Sequence, residues 1–244
     1  MNLVYLVGAG PGAPDLLTVR AARLLAEADI VFHDALISDE ILSLAAKAEK
    51  VAVGKRCGRH STAQHFINKR LLDAARRYRV VVRLKGGDPM LFGRAHEEIS
   101  FLTRHSVKVE IVPGVTAALA ASAELGISLS RRGLARSVTF VTPRVGAGER
   151  PSSWVKAAAA ADTAAIYMGA GEGPAIAAAL IAAGKPRSTP IALVENASLP
   201  EARVSYGTLA DLPRLSGGPV LILVGEVYRE AAEAVRSRKA SQAA

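Results

Sequence analysis

The chain has 244 residues, half of them hydrophobic, and a mean hydropathy of +0.23, which excludes a disordered polymer and allows one large core or two small ones. Apolar runs stop short of the ~18 residues a membrane helix needs, and the single cysteine, Cys57, excludes an internal disulfide and fits the cytoplasm. A net charge of +9 and a pI of about 10.0 call for an anionic partner: nucleic acid, an acidic membrane surface or a polyanionic small molecule.

The amino terminus has no basic leader and enters a predicted strand at 3–7, so no signal peptide is expected. Gly8-Ala9-Gly10-Pro11-Gly12-Ala13 nominally fits the dinucleotide turn G-x-G-x-x-A. Pro11 and Pro14 delay the helix, however, so its amino terminus cannot lie against a pyrophosphate as that mechanism requires. Leu16, Leu17, Ala21, Leu24 and Leu25 then recur at helical spacing. A strand at 30–33 ends in Asp34, which is a base, a ligand acceptor or a helix cap. Ser38 and Asp39 already offer caps to the next helix, 40–48, which weakens the capping role for Asp34. The strand 51–53 leads into Gly54-Lys55-Arg56-Cys57-Gly58-Arg59-His60, where Lys55 and Arg56 either meet an anion or form a solvated basic turn.

After a helix at 63–77, the strand 80–84 climbs into Gly86-Gly87-Asp88-Pro89 and then Phe92-Gly93-Arg94. Paired glycines let backbone amides approach a ligand, and the adjacent carboxylate can accept hydrogen bonds from ligand hydroxyls or an amine. Pro89 stiffens the turn. Strand, glycine turn and helix in this order is how open α/β sheets build sites at the carboxyl ends of their strands. A helix at 95–104 and a strand at 109–112 follow, stopped by Pro113-Gly114, and then a helix at 116–125. Strands at 138–141, 164–168, 191–194 and 220–224 make a second set, with helices near 174–183 and 228–236. The alternation predicts parallel α/β units in two domains, 1–113 and 114–236, with a small-molecule cleft between them and a disordered tail at 237–244.

His33, His65, His96 and His105 show no metal-ligand spacing with carboxylates or Cys57, so no metal is expected. Tyr167-Met168-Gly169 closes a strand and either walls a flat or sulfur-bearing ligand or packs in the core. Aromatics make up 5% of the chain, and no nucleic-acid-binding motif is present, which disfavours a nucleic-acid partner. Simple solubility explains the basic tail, but less well Lys55, Arg56, Arg59, Arg94, Arg131, Arg132 and Arg144, which fall inside turns.

The segments VYLVGAGPGAPDLLT, DIVFHDALIS, VGKRCGRHS with Gln64 and Asn68, VVRLKGGDPMLFGR, VPGVTAA, RSVTFVT, IYMG, IALVENAS and VLILVGEV appear in this order from Val4 to about Val227. In this the chain resembles the S-adenosylmethionine-dependent uroporphyrinogen-III C-methyltransferases of the tetrapyrrole methylase superfamily. The resemblance implies two α/β domains of the tetrapyrrole methylase type with the ligand cleft between them, in a cytoplasmic homodimer. It implies S-adenosylmethionine as methyl donor, S-adenosylhomocysteine as product, and methylation of uroporphyrinogen III at C2 and C7 to precorrin-2, toward siroheme and cobalamin. Pro11, Gly86, Gly87, Asp88, Leu91, Thr116, Ala117, Met168 and Ala197 match cofactor-contacting positions of that family. Asp34 matches the proton acceptor and Lys55 the proton donor. Arg56, Arg59, Arg94 and Arg132 are then the expected holders of the substrate's carboxylates. Three places depart from the family pattern: His96 replaces a glycine, and Arg131 and Arg144 replace histidines. They leave open a later precorrin methylase. An RNA-binding protein or RNA methyltransferase on the same fold is the alternative from another class.

Overall fold

The aliphatic runs of the first half pair into one parallel sheet, as expected of strands covered by helices on both faces. The computed structural model describes residues 2–53, 61–146, 148, 150, 152–215 and 218–243. It divides into two units, Met1–Ala117 and Ala118–Ala244.

The first unit comprises β1 (Leu3–Gly8), α1 (Val19–Glu27), β2 (Ile30–His33), α2 (Asp39–Ser43), β3 (Glu49–Ala52), α3 (Ser61–Ala75), β4 (Val81–Lys85), α4 (Ala95–Arg104) and β5 (Lys108–Val112). The strand order is β3-β2-β4-β1-β5, and every neighbouring pair is parallel. Val82 and Leu84 pack with Leu24 and Leu25 of α1 and Ile41 of α2. Val81, on the other face of β4, packs with Leu71 of α3 and Leu102 of α4. The crossovers leaving β1 and β4 run in opposite directions, so their helices cover opposite faces and the carboxyl ends of these two strands form the switch point. Thr18 caps α1 by accepting the Ala21 N–H at 3.1 Å, and Ser38 caps α2 by accepting the Ile41 N–H at 3.4 Å. Asp34 is therefore not the cap of that helix.

The second unit comprises α5 (Ala117–Leu125), which begins at the division, and then β6 (Val138–Val141), α6 (Trp154–Ala160), β7 (Thr163–Ile166) and α7 (Gly173–Ala182). It ends with β8 (Pro190–Glu195), β9 (Arg203–Thr208), β10 (Val220–Gly225) and α8 (Arg229–Ala243). Its sheet, in the order β6-β7-β10-β8-β9, departs from the expected parallel pattern. β6 and β7 are parallel, whereas β10 runs antiparallel to β7 and β8, and β9 antiparallel to β8. The segment 196–202 joins β8 to β9 without a crossover helix, which an antiparallel pair permits. β9 was absent from the expected strands because it is a largely exposed edge strand of mixed polarity, with no apolar run to mark it.

Two expected boundaries also move. Gly114 belongs with the first unit because its N–H is held by Asp88 Oδ2 at 2.9 Å, so the division falls after the Pro113-Gly114 turn. α8 continues to Ala243, so the tail expected to be disordered is helical through most of 237–244. Its alanines, lysine and arginines are good helix formers.

The two units share one local device. Asp29, just before β2, accepts the Arg79 and Val80 N–H groups at 3.0 and 2.8 Å and pins the entry of β4. Asp162, just before β7, accepts the Arg136 and Ser137 N–H groups, each at 2.9 Å, at the entry of β6.

Candidate active site

The turns that follow β1, β4 and β5 are neighbours because their strands are. Gly10 and Gly87 exchange two backbone hydrogen bonds, at 3.2 and 2.7 Å, and the Ala9 N–H donates to the Lys85 carbonyl at 2.8 Å. Gly8 sits against main chain from both other turns: a Cβ there would lie 2.6 Å from Gly114 N and 2.7 Å from Gly87 O. Asp88 knits the turns together, its Oδ1 accepting the Met90 N–H at 2.7 Å and its Oδ2 the Gly114 N–H. The Asp88 carboxylate is thus anchored to main chain, a role not anticipated from its position beside two glycines. Gly86 differs from Gly8: among the described residues, nothing lies within 4 Å of where its Cβ would be. Pro11, Gly86, Gly87, Asp88, Leu91 and Thr116 all lie on these turns, with Thr116 Cα 3.9 Å from a Cβ built on Gly87, and Ala117 opens α5. The expected cofactor residues of the first unit are therefore gathered at the switch-point end of its sheet.

Beside these turns lies a buried cluster of charge. Arg83, Lys85 and Glu98 are 2%, 4% and 0% exposed. Arg83 spends its guanidinium in three directions: Nε donates to Glu98 Oε1 at 3.1 Å, Nη1 to the Leu84 carbonyl at 3.1 Å, and Nη2 to Asp34 Oδ1 at 2.5 Å. Lys85 Nζ donates to both Glu98 oxygens at 3.2 Å, and Gln64 Nε2 donates to Glu98 Oε1 at 3.2 Å and to Asn68 Oδ1 at 3.0 Å. Burial pulls the Arg83 pKa down, but Glu98 and Asp34 outweigh it and raise it. Burial, helped by the Arg83 charge, lowers the pKa of the Lys85 amine. Two cations face two anions, so the cluster is neutral; removing one partner of such a buried set costs roughly 3–5 kcal/mol. Asp34 is the outermost member, its side chain 32% exposed and its orientation set from beneath.

In the second unit, β7 and β8 both oppose β10, so their carboxyl ends share one edge of the sheet. Met168 follows β7 and Ala197 follows β8, which places both expected cofactor residues of this unit on that edge. Met168 (φ 57°), Asn196 (φ 50°) and Ser198 (φ 71°) adopt left-handed backbone, a conformation that costs non-glycine residues energy and gathers at ligand sites. Tyr167 is committed to structure: its Oη accepts the Ala118 N–H at 3.1 Å, and its ring meets Phe140 edge-on at 6.2 Å.

Of the expected anion holders, Arg94 is exposed at the start of α4 and binds Glu97 through Nε at 2.6 Å and Nη2 at 2.7 Å. The bond from Arg94 holds the Glu97 carboxyl below its ordinary value. His96 lies 3.4 Å from Ser100 Oγ and lines a groove of about 450 Å³ with Gln64, Asn68, Arg94 and Arg104. Arg132 lines an open depression of about 560 Å³ in the second unit together with Arg131 and Arg136, and Arg131 is paired with Glu230 at 3.0 Å. Arg144 is exposed after β6. Lys55, Arg56 and Arg59 lie outside the described residues.

Sequence reasoning missed Arg83, Lys85 and Glu98 as members of the site. The signal was present. Central parallel strands read as near-continuous apolar runs, so two cations at alternate positions of β4 require a buried counter-charge on the covering helix.

Residues 3–213 match the family model described as tetrapyrrole (corrin/porphyrin) methylases, and the chain belongs to that family. The siroheme synthase of Pseudomonas putida strain F1 is 47% identical over 232 residues, covering 93% of this chain and 50% of the relative. The siroheme synthase of Psychrobacter cryohalolentis is 45% identical over 233 residues, covering 93% and 45%. The chain therefore spans about half the length of the curated relatives it matches. Among solved structures, the uroporphyrin-III C-methyltransferase of Thermus thermophilus in complex with S-adenyl homocysteine matches with a TM-score of 0.82 and 43% identity, over 93% of this chain and 98% of that one.

Proposed function

We propose that this chain transfers methyl groups from S-adenosylmethionine to C2 and C7 of uroporphyrinogen III, giving precorrin-2. The observation that carries this reading is the junction of the β1, β4 and β5 turns. Its interior side is closed backbone to backbone, while its Gly86 side stands open among the described residues. Such an edge leaves room for a ligand to approach main chain at the carboxyl ends of the strands, as binding of S-adenosylmethionine there requires. Pro11, Gly86, Gly87, Asp88, Leu91, Thr116, Ala117, Met168 and Ala197 are the residues proposed to hold it. When bound, the cofactor supplies an electrophilic sulfonium methyl.

The chain's own residues do the rest. Alignment of an electron-rich pyrrole carbon with that methyl can lower the barrier by several kcal/mol, up to about 7–11. Asp34 accepts the proton released as the ring system rearranges, and Lys55 donates one; a placed acid or base is worth roughly 10²–10⁴ in rate. Arg94 and Arg132, with Arg56 and Arg59, hold the carboxylates of the octa-acid substrate by charge-assisted hydrogen bonds. The resemblance further implies a homodimer, and a cytoplasmic setting that the lone cysteine fits. Among the described residues, no helix is long and apolar enough to cross a membrane.

The deciding experiment generates uroporphyrinogen III in situ without oxygen and measures S-adenosylhomocysteine release with the product mass. Two methyls gained per tetrapyrrole is the expected result. Cofactor binding without turnover would overturn uroporphyrinogen III as the substrate. It would favour a later precorrin, the reading that His96 in the groove and Arg131 beside Arg132 support. Asp34→Asn should cut turnover at least a hundredfold while leaving S-adenosylhomocysteine affinity unchanged, and undiminished turnover would refute its role as proton acceptor.

A further inference from the structure

We propose that Glu98, buried beneath the site and paired with Lys85, is a positioning residue that locks the Arg83 guanidinium and thereby fixes the Asp34 carboxylate. The proposal rests on the reading of Asp34 as the proton acceptor. Its physical basis is the direction of each bond. Glu98 Oε1 receives Arg83 Nε, Lys85 Nζ and Gln64 Nε2, and Oε2 receives Lys85 Nζ. Arg83 Nη1 is spent on the Leu84 carbonyl, so the guanidinium plane is fixed by Glu98 on one edge and main chain on another. Nη2 is then aimed at Asp34 Oδ1. A planar, five-donor guanidinium transmits such a constraint in a way an ammonium does not.

Lys85 has a separate part. Its ammonium bonds both oxygens of Glu98, which makes Glu98 a shared counter-ion rather than a simple partner of Arg83. This predicts an asymmetry. In Glu98→Gln the amide oxygen can still serve Arg83 and Gln64, but the new NH2 meets the Lys85 ammonium donor to donor. Turning the amide would only set that NH2 against Arg83 Nε and Gln64 Nε2 instead, so every orientation leaves a donor facing a donor beside an unbalanced buried cation, and the hold on Arg83 loosens. Removing the ammonium as well, in Glu98→Gln with Lys85→Met, lets the amide oxygen return to Arg83 Nε. The double variant therefore functions better than the single one, which side chains that merely fill space would not produce. Replacing a buried ionic set by neutral groups of similar volume is also well tolerated by folds.

The test compares wild type, Glu98→Gln and the double variant by two independent readouts. The first is steady-state turnover with uroporphyrinogen III, alongside S-adenosylhomocysteine affinity. Glu98→Gln should lower kcat at least tenfold with KM and cofactor affinity within twofold of wild type, and the double variant should recover most of that loss. The second readout needs no substrate: exchange of the Arg83 side-chain N–H protons, followed by 15N NMR. It should be at least tenfold faster in Glu98→Gln and slow again in the double variant. Equal losses of kcat in both variants, or parallel losses of kcat and cofactor affinity, would overturn the positioning role, as would unchanged Arg83 exchange in Glu98→Gln. Should Glu98→Gln fail to fold, a folded double variant with Arg83 exchange as slow as wild type supports the proposal, and fast exchange overturns it. A wild type that does not turn over uroporphyrinogen III would instead strike the functional reading, leaving the exchange experiment to decide the role of Glu98.

Discussion

Two glycines at the junction of the β1, β4 and β5 turns should respond oppositely to the same added methyl. In Gly8→Ala the Cβ would lie 2.6 Å from Gly114 N and 2.7 Å from Gly114 Cα and Gly87 O, all main chain that cannot rotate away. Overpacking of this kind costs about 1–3 kcal/mol. At about 2–4 °C per kcal/mol for a chain of this size, Tm falls by roughly 2–12 °C. In Gly86→Ala the methyl enters open space, and the reduced entropy of the unfolded chain makes the change neutral or stabilising by up to ~1 kcal/mol. Its cost falls on the ligand, because the methyl occupies the edge against which S-adenosylmethionine is proposed to lie. A loss of about 1.4 kcal/mol of binding is a tenfold weaker Kd. Thermal unfolding of both variants and calorimetric titration with S-adenosylhomocysteine give all four numbers. Wild-type affinity in Gly86→Ala would refute the placement of the ligand, and wild-type Tm in Gly8→Ala would refute the close packing of the turns.

Tyr167→Phe should destabilise the second unit by roughly 1–3 kcal/mol, because the buried Ala118 N–H in the first turn of α5 loses its acceptor; an unchanged urea midpoint would count against this. The backbone N–H of Arg136, and then the backbone N–H and side-chain O–H of Ser137, hold the Asp162 carboxyl below the ordinary aspartate value of 3.8. Its contribution is therefore complete above that value and disappears as the pH falls through the lower folded pKa. Asp162→Asn should have a reduced Tm at neutral pH and a gap to wild type that closes in strong acid, whereas a gap constant with pH would exclude this linkage. Arg94→Ala should change stability by less than about 1 kcal/mol, since the Arg94–Glu97 pair is exposed, yet raise KM for the tetrapyrrole; an unaltered KM would remove Arg94 from the substrate contacts.

The sequence by itself determined the parts whose cause is local. A glycine pair after an aliphatic strand reads as a turn, and a Ser-Asp pair before a helix reads as a cap, because both depend on a few adjacent residues. The five parallel strands of the first unit were legible for the same reason: each is an aliphatic run between helical patterns. Antiparallel pairing in the second sheet was not, since the direction of β10 depends on how its neighbours are placed rather than on its own residues. β9 escaped because an exposed edge strand has no apolar signature. The order of the strands was decided only by tertiary structure, and that order makes the turns after β1, β4 and β5 neighbours, turning Gly8 from a permissive residue into an obligatory one. Tertiary structure also decided the charge cluster. Arg83 and Lys85 announced a need for buried counter-charge, but which carboxylates would answer depended on α4 packing across β4 and on β2 lying beside it. Desolvation makes an unpaired buried charge intolerable, so the fold had to bring Glu98 and Asp34 to those cations.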